Sequence, residues 1–101
     1  MLVKLGVDIS RLKREIRRKL NQVELILGDR FKSEAVLTST YDGTHSTGSL
    51  HYSNDAVDVR IPRAPMEEVV QAVEDLKRIL GKDYDVLLES DHIHVEFDPK
   101  G

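Results

Sequence analysis

The stretch Ser49-Leu50-His51-Tyr52-Ser53-Asn54-Asp55-Ala56-Val57-Asp58 places an imidazole and a carboxylate at a spacing that suits two ligands of one metal ion, and it joins a polar loop to an apolar strand. A second stretch, Glu89-Ser90-Asp91-His92-Ile93-His94-Val95-Glu96-Phe97, offers a third ligand. Alternation along a strand points His92 and His94 to one face. A His, Asp, His set with no cysteine is the donor type of zinc sites that keep three protein ligands and leave one tetrahedral position open for water, so it suits hydrolysis better than a structural site. Either pair alone is weak evidence, since a His-x-His on a strand is as often a surface pair. The weight comes from the combination in this order, with each half embedded in a β-like run.

The segment Thr38-Ser39-Thr40-Tyr41-Asp42-Gly43-Thr44-His45-Ser46-Thr47-Gly48-Ser49-Leu50-His51-Tyr52, followed by Ala56-Val57-Asp58 and then by Glu89-Ser90-Asp91-His92-Ile93-His94, resembles the amino-terminal signalling domain of hedgehog proteins. It is also similar to the related zinc peptidases: the D-alanyl-D-alanine carboxypeptidases, the phage and bacterial L-alanyl-D-glutamate endopeptidases and the lysostaphin-type enzymes. The resemblance covers roughly residues 36 to 97 and matches the intervening helix in pattern only. Residue by residue it implies zinc bound by His51, Asp58 and His94, with His92 beside the metal. It also implies a catalytic carboxylate shortly before the last ligand. Two residues compete for that place: Asp91, three before His94 as in many cell-wall peptidases, and Glu89, in the Glu-Ser context of the hedgehog pattern but one residue closer. A tight final hairpin favours Glu89, because the turn would swing Asp91 towards solvent, where it caps the turn. His45 falls on the hedgehog loop histidine that precedes the first ligand, which implies a substrate or supporting contact; an exposed loop histidine is the alternative.

The chain departs from the peptidases at two places. Asn54 stands where many have Gly three residues after the first ligand, and Asn can adopt a positive φ at modest cost. Tyr41 is followed by Asp42, where the peptidases commonly carry a carboxylate-binding Arg. Arg60, on the Asp58 face of its strand, is a candidate to bind a substrate carboxylate instead; pairing with Asp91 or Glu89 is the structural alternative.

The chemistry so implied is metal-assisted amide hydrolysis. Zinc polarises the scissile carbonyl and acidifies water, Asp91 or Glu89 moves the proton, and His92 stabilises the developing oxyanion. By resemblance the substrate is a peptidoglycan (cell-wall) peptide with a D-residue, and the enzyme a phage or bacterial carboxypeptidase or endopeptidase. The alternative is a non-catalytic, hedgehog-like zinc-containing binding or signalling module, because fold and metal site alone do not establish turnover. Calcium, which hedgehog domains bind through acidic loop residues, would fall here on Asp42, Asp55, Asp83 and Asp85, which are sparse.

Composition bounds the rest. The 101 residues are 40% hydrophobic and 33% charged with a net charge of −3. That is an ordinary globular balance, and it argues against general nucleic-acid binding. A chain of this length is expected to form a single zinc-peptidase-like domain over residues 1–101, burying about two-thirds of its unfolded surface without staples. No cysteine means no disulfide framework and no thiolate metal site. Met1-Leu2-Val3-Lys4-Leu5-Gly6 is a short apolar patch without a cleavage-type site, and no later run approaches a membrane span.

The elements that must position these residues follow from periodicity. Asp8 or Ser10 can cap a helix whose apolar positions Ile9, Leu12, Ile16, Leu20, Val23 and Ile26 recur at three and four, ending at Gly28 as a left-handed terminator. Its outer face carries Arg11, Lys13, Arg14, Arg17, Arg18 and Lys19 against Glu15, a composition that serves either a solvated face or an anionic polymer or membrane surface. Glu34 to Ser39 reads as a strand, and Asp42 to Gly48 as a turn-rich loop bordering the site. Ala56 to Ile61 alternates, with Ala56, Asp58 and Arg60 opposite Val57, Val59 and Ile61. A helix over about Met66 to Leu80 carries Val69, Val70, Val73, Leu76, Ile79 and Leu80 on one stripe and ends at Gly81. Tyr84 to Glu89 and Ile93 to Phe97 read as two strands joined by a tight turn at Ser90-Asp91. The order α-β-β-α-β-β predicts an α+β fold: a small antiparallel β-sheet with helices on one face and the metal site on the other, as in hedgehog domains and DD-peptidases.

Overall fold

A computed structural model describes residues 1–10, 12–40 and 56–99. His45 and His51, like the rest of residues 41–55, lie outside them. The elements run β1 (Leu2–Val3), α1 (Arg14–Arg17), α2 (Leu20–Leu27), a short 3₁₀ turn (Asp29–Phe31), β2 (Val36–Ser39), β3 (Ala56–Arg60), α3 (Met66–Leu80), β4 (Tyr84–Leu88) and β5 (His92–Phe97). The strands form a five-stranded sheet in the order β1-β2-β3-β5-β4. The result is a small α+β fold.

Alternation decides which side of the sheet meets the helices. Leu37, Val57, Val59, Val86, Ile93 and Val95 are buried in one cluster with Ile16, Val23, Ile26 and Leu27 of the first helical region and with Val69, Ala72, Val73, Leu76 and Leu80 of α3. In α3 the buried stripe therefore includes Ala72, while Val70 and Ile79, expected on it, are 44% and 48% exposed. Their wide-angle positions at the stripe's margins fall outside the contact with the sheet. The opposite sheet face carries Asp58, Arg60, His92, His94 and Glu96 together with the apolar Ala56 and Leu87.

Three features differ from the sequence expectation, each for a physical reason. The sheet is mixed, because β1 pairs in parallel with β2, Leu2 opposite Val36 and Val3 opposite Leu37. Parallel neighbours need a long crossover, and here the whole segment carrying α1 and α2 provides it. A two-residue strand has no alternation to read.

The first helix is broken. Asp8 does not cap it: its carboxylate accepts from the Ser10 backbone N–H at 2.8 Å and from the Ser10 hydroxyl at 2.7 Å. That local turn competes with helix initiation, and the helix starts only at Arg14. At the break, the Tyr84 hydroxyl donates to the Glu15 carbonyl at 2.6 Å. A continuous helix would have given that carbonyl to the Lys19 N–H. Lys19 instead bonds Ile16 one residue closer, at 3.0 Å, and its ammonium lies 5.5 Å from the centre of the Tyr84 ring.

Gly28 ends α2 with φ −123°, which is not left-handed. Gly81 after α3 does take a positive φ of 93°. What requires glycine at position 28 is proximity: a Cβ there would lie 2.6 Å from the Ala35 nitrogen and 2.6 Å from Glu24 Oε2, where the Ala35 N–H donates to that carboxylate at 2.7 Å. Gly28→Ala is expected to cost about 1–3 kcal/mol, the range for overpacking, read as a lower urea midpoint. An unchanged midpoint would show that the helix end and β2 separate freely.

Candidate metal centre

The polar face of the sheet is a grid fixed by strand register. In the antiparallel pairing of β3 with β5, Arg60 stands opposite His92, Asp58 opposite His94, and Ala56 opposite Glu96. On the other side of β5, Leu87 of β4 faces His94 and Asp85 faces Glu96. Continuing that ladder by one pair brings Glu89 opposite His92, and the Glu89 N–H donates to the His92 carbonyl at 2.9 Å. The same alternation that buries Val57, Val59, Ile93 and Val95 thus gathers Asp58, His92, His94 and Glu96 on one surface.

These side chains touch in series. The nearest oxygen of Asp58, Oδ1, lies 2.9 Å from His94 Nδ1 and 3.5 Å from His92 Nε2. The far nitrogen of each ring meets another carboxylate, His92 Nδ1 at 2.6 Å from Asp91 Oδ1 and His94 Nε2 at 2.9 Å from Glu96 Oε1. One ligand atom each from Asp58, His92 and His94 lies within 4.8 Å of the others, a group able to hold a metal ion. Asp58 is 8% exposed; a carboxylate so withdrawn from water requires a cation or strong donors beside it.

Among the described residues, His94 is placed to supply that cation when protonated. Burial works against its charge, but hydrogen bonds to Asp58 and Glu96, with the attraction of both carboxylates, outweigh it and raise its pKa from the ordinary 6.5. Its imidazolium then donates from Nδ1 to Asp58 and from Nε2 to Glu96. A folded-state pKa above the unfolded one means a stability contribution that is complete below pH of about 6.5 and lost as pH rises through the raised value. In chelator-treated protein the melting temperature should fall over that window, and His94→Gln should flatten the dependence. A slope unchanged in the variant would show that another group carries it.

The hairpin is tight, as expected, yet Asp91 is not merely a turn cap: its side chain is 83% exposed but one oxygen holds the His92 ring. Glu89 is exposed on the site face. Arg60 is exposed and lines an open cavity of about 240 Å³ with Phe31, Glu34, Val36, Pro62 and Arg63. Among the described residues it forms no ion pair with Glu89 or Asp91, so the structural alternative for this side chain is not realised. The structure draws His92 into the group beside Asp58 and His94. Glu96 joins this face by the same period-2 rule that groups His92 with His94, although no metal-ligand spacing includes it. The chain matches no family model and no curated protein. No helix among the described residues is long and apolar enough to cross a membrane.

Proposed function

We propose that this chain is a zinc-dependent peptidase that cleaves an amide bond in a peptidoglycan peptide. The observation that carries the reading is the approach of Asp58 Oδ1 and His94 Nδ1 to 2.9 Å on the sheet face, with His92 Nε2 beside them at 3.5 Å from the same oxygen. Ligand atoms bound tetrahedrally at 2.0–2.2 Å are separated by about 3.3 Å, close to the 2.9 Å that separates Asp58 Oδ1 from His94 Nδ1. One carboxylate with imidazoles and no thiolate is a donor set suited to zinc.

Asp58 and His94 supply two ligands, and the resemblance to hedgehog domains and cell-wall peptidases assigns the third to His51. His92 then stays off the ion. Four protein ligands would close the coordination sphere and make the site structural, whereas three leave room for substrate and water. When bound, zinc supplies Lewis acidity, polarising a carbonyl and acidifying water. Glu89, on the site face opposite His92, takes the proton from the attacking water and hands it to the leaving nitrogen. His92, its ring oriented by Asp91 at Nδ1, donates from Nε2 to the developing oxyanion. His94 would have to give up its Nδ1 proton to serve as a ligand, so zinc affinity is expected to rise with pH.

The deciding experiment incubates zinc-loaded protein with purified peptidoglycan and follows released peptides by mass spectrometry. Release that stops on chelation is the expected result. Stoichiometric zinc with no released peptide would sink the peptidase reading and leave the non-catalytic, hedgehog-like binding module.

A further inference from the structure

The geometry points to Glu96 as a positioning residue for the metal ligand His94, a role that rests on the metal-site reading above. An imidazole offers a metal one nitrogen, and which one is fixed by what the other nitrogen bonds. His94 lies between two carboxylates, with Nδ1 at Asp58 and Nε2 2.9 Å from Glu96 Oε1. The two contacts are chemically unequal once a metal enters. Asp58 belongs to the group of atoms that can share an ion, and Glu96 does not. Its oxygen sits across the ring, where it can only accept the Nε2–H. That hydrogen bond fixes the Nε2–H tautomer, presents the Nδ1 lone pair towards Asp58 and holds the ring in its plane.

The surroundings support this assignment. The side chain of Glu96 is 19% exposed, so the contact is shielded from competing water. Of its cross-strand neighbours, Ala56 is apolar and Asp85 carries the same charge. Among the described residues, the donor that this face offers the Glu96 carboxylate is the His94 ring. Leu87, on the other side of His94, has no group that could replace it.

The test uses the full chain, zinc alone as probe, and two readouts. In zinc-loaded wild type labelled with ¹⁵N at histidine, His94 is expected to show a protonated Nε2 and a metal-bound Nδ1. Glu96→Ala should weaken zinc binding by about 10–100-fold, the usual effect of removing a group that supports a ligand. Glu96→Gln keeps an acceptor oxygen and should recover most of that loss with the same ¹⁵N pattern. A folded Glu96→Ala that binds zinc as tightly as wild type overturns the inference and leaves the metal site standing. Equal loss in Glu96→Gln and His94→Ala also overturns it, because Glu96 would then be a ligand. Absence of zinc binding by the wild type removes the metal reading, and this inference with it.

Discussion

Replacing His94 by Ala is expected to reduce bound zinc to background after dialysis and to weaken affinity by more than about a hundredfold, beyond the effect of losing a merely supporting group. His94 is common to both three-ligand sets that the sheet face and the resemblance allow, so no rearrangement of the remaining residues can restore its Nδ1. The loss has a second component. Asp58 is 8% exposed, and the substitution removes the imidazole whose Nδ1 lies 2.9 Å from it. Breaking such a pair costs about 3 kcal/mol, the low end for buried pairs because both side chains keep some water contact. His94→Gln, which can still donate to a carboxylate, separates the two effects: zinc should be lost while most of the stability returns. His51→Ala and His92→Ala then identify the third ligand, since only the true ligand should bring zinc to background. A folded His94→Ala that keeps wild-type zinc would remove the ion from this face of the sheet.

Turnover should respond most to Glu89. Exchanging it for Gln keeps the shape and removes the basicity, so hydrolysis should fall by roughly a hundredfold or more with zinc still bound, as for loss of a general base. The hairpin geometry separates it from its competitor. Asp91 has one oxygen committed to His92 Nδ1 at 2.6 Å, whereas Glu89 stands opposite His92 on the site face. Asp91→Asn should therefore cost less, about tenfold through a looser His92 ring. Hydrolysis abolished by Asp91→Asn and unaffected by Glu89→Gln would reverse the assignment. An active preparation indifferent to both would exclude carboxylate proton transfer altogether.

That Asp58, His92 and His94 turn away from the core is legible in the chain because alternation is a local rule: it sets Asp58 on the face away from the apolar Val57 and Val59, and His92 and His94 on the face away from Ile93 and Val95, while the pairing of Asp58 with His94 is implied by the resemblance and depends on strand register. The long helix Met66–Leu80 is legible for the same reason, its buried residues recurring at three and four. What could not be read depends on distant partners. The break after Arg17 is made by Tyr84, 69 residues away from the carbonyl it captures. The need for glycine at position 28 comes from the backbone of Ala35 and a carboxylate of Glu24, and no local pattern records that approach. The parallel pairing of Leu2–Val3 follows from where the crossover delivers β2. Glu96 follows the same alternation as the histidines, but no metal-ligand spacing singles it out.

Asp58 and His94 are neighbours in space and 36 residues apart in the chain, with α3 and β4 threaded between them. An ion shared by the two closes a loop of that length, as a cross-link would, and its binding energy is available only to chains in which the central strands have already paired. An excised β4–β5 hairpin would retain both histidines of the sheet face and lack the carboxylate that joins them. Occupancy therefore reports on the whole fold: free metal draws the population towards the paired state by mass action, and the last amides to exchange with deuterium in the loaded protein should be those of β3 and β5.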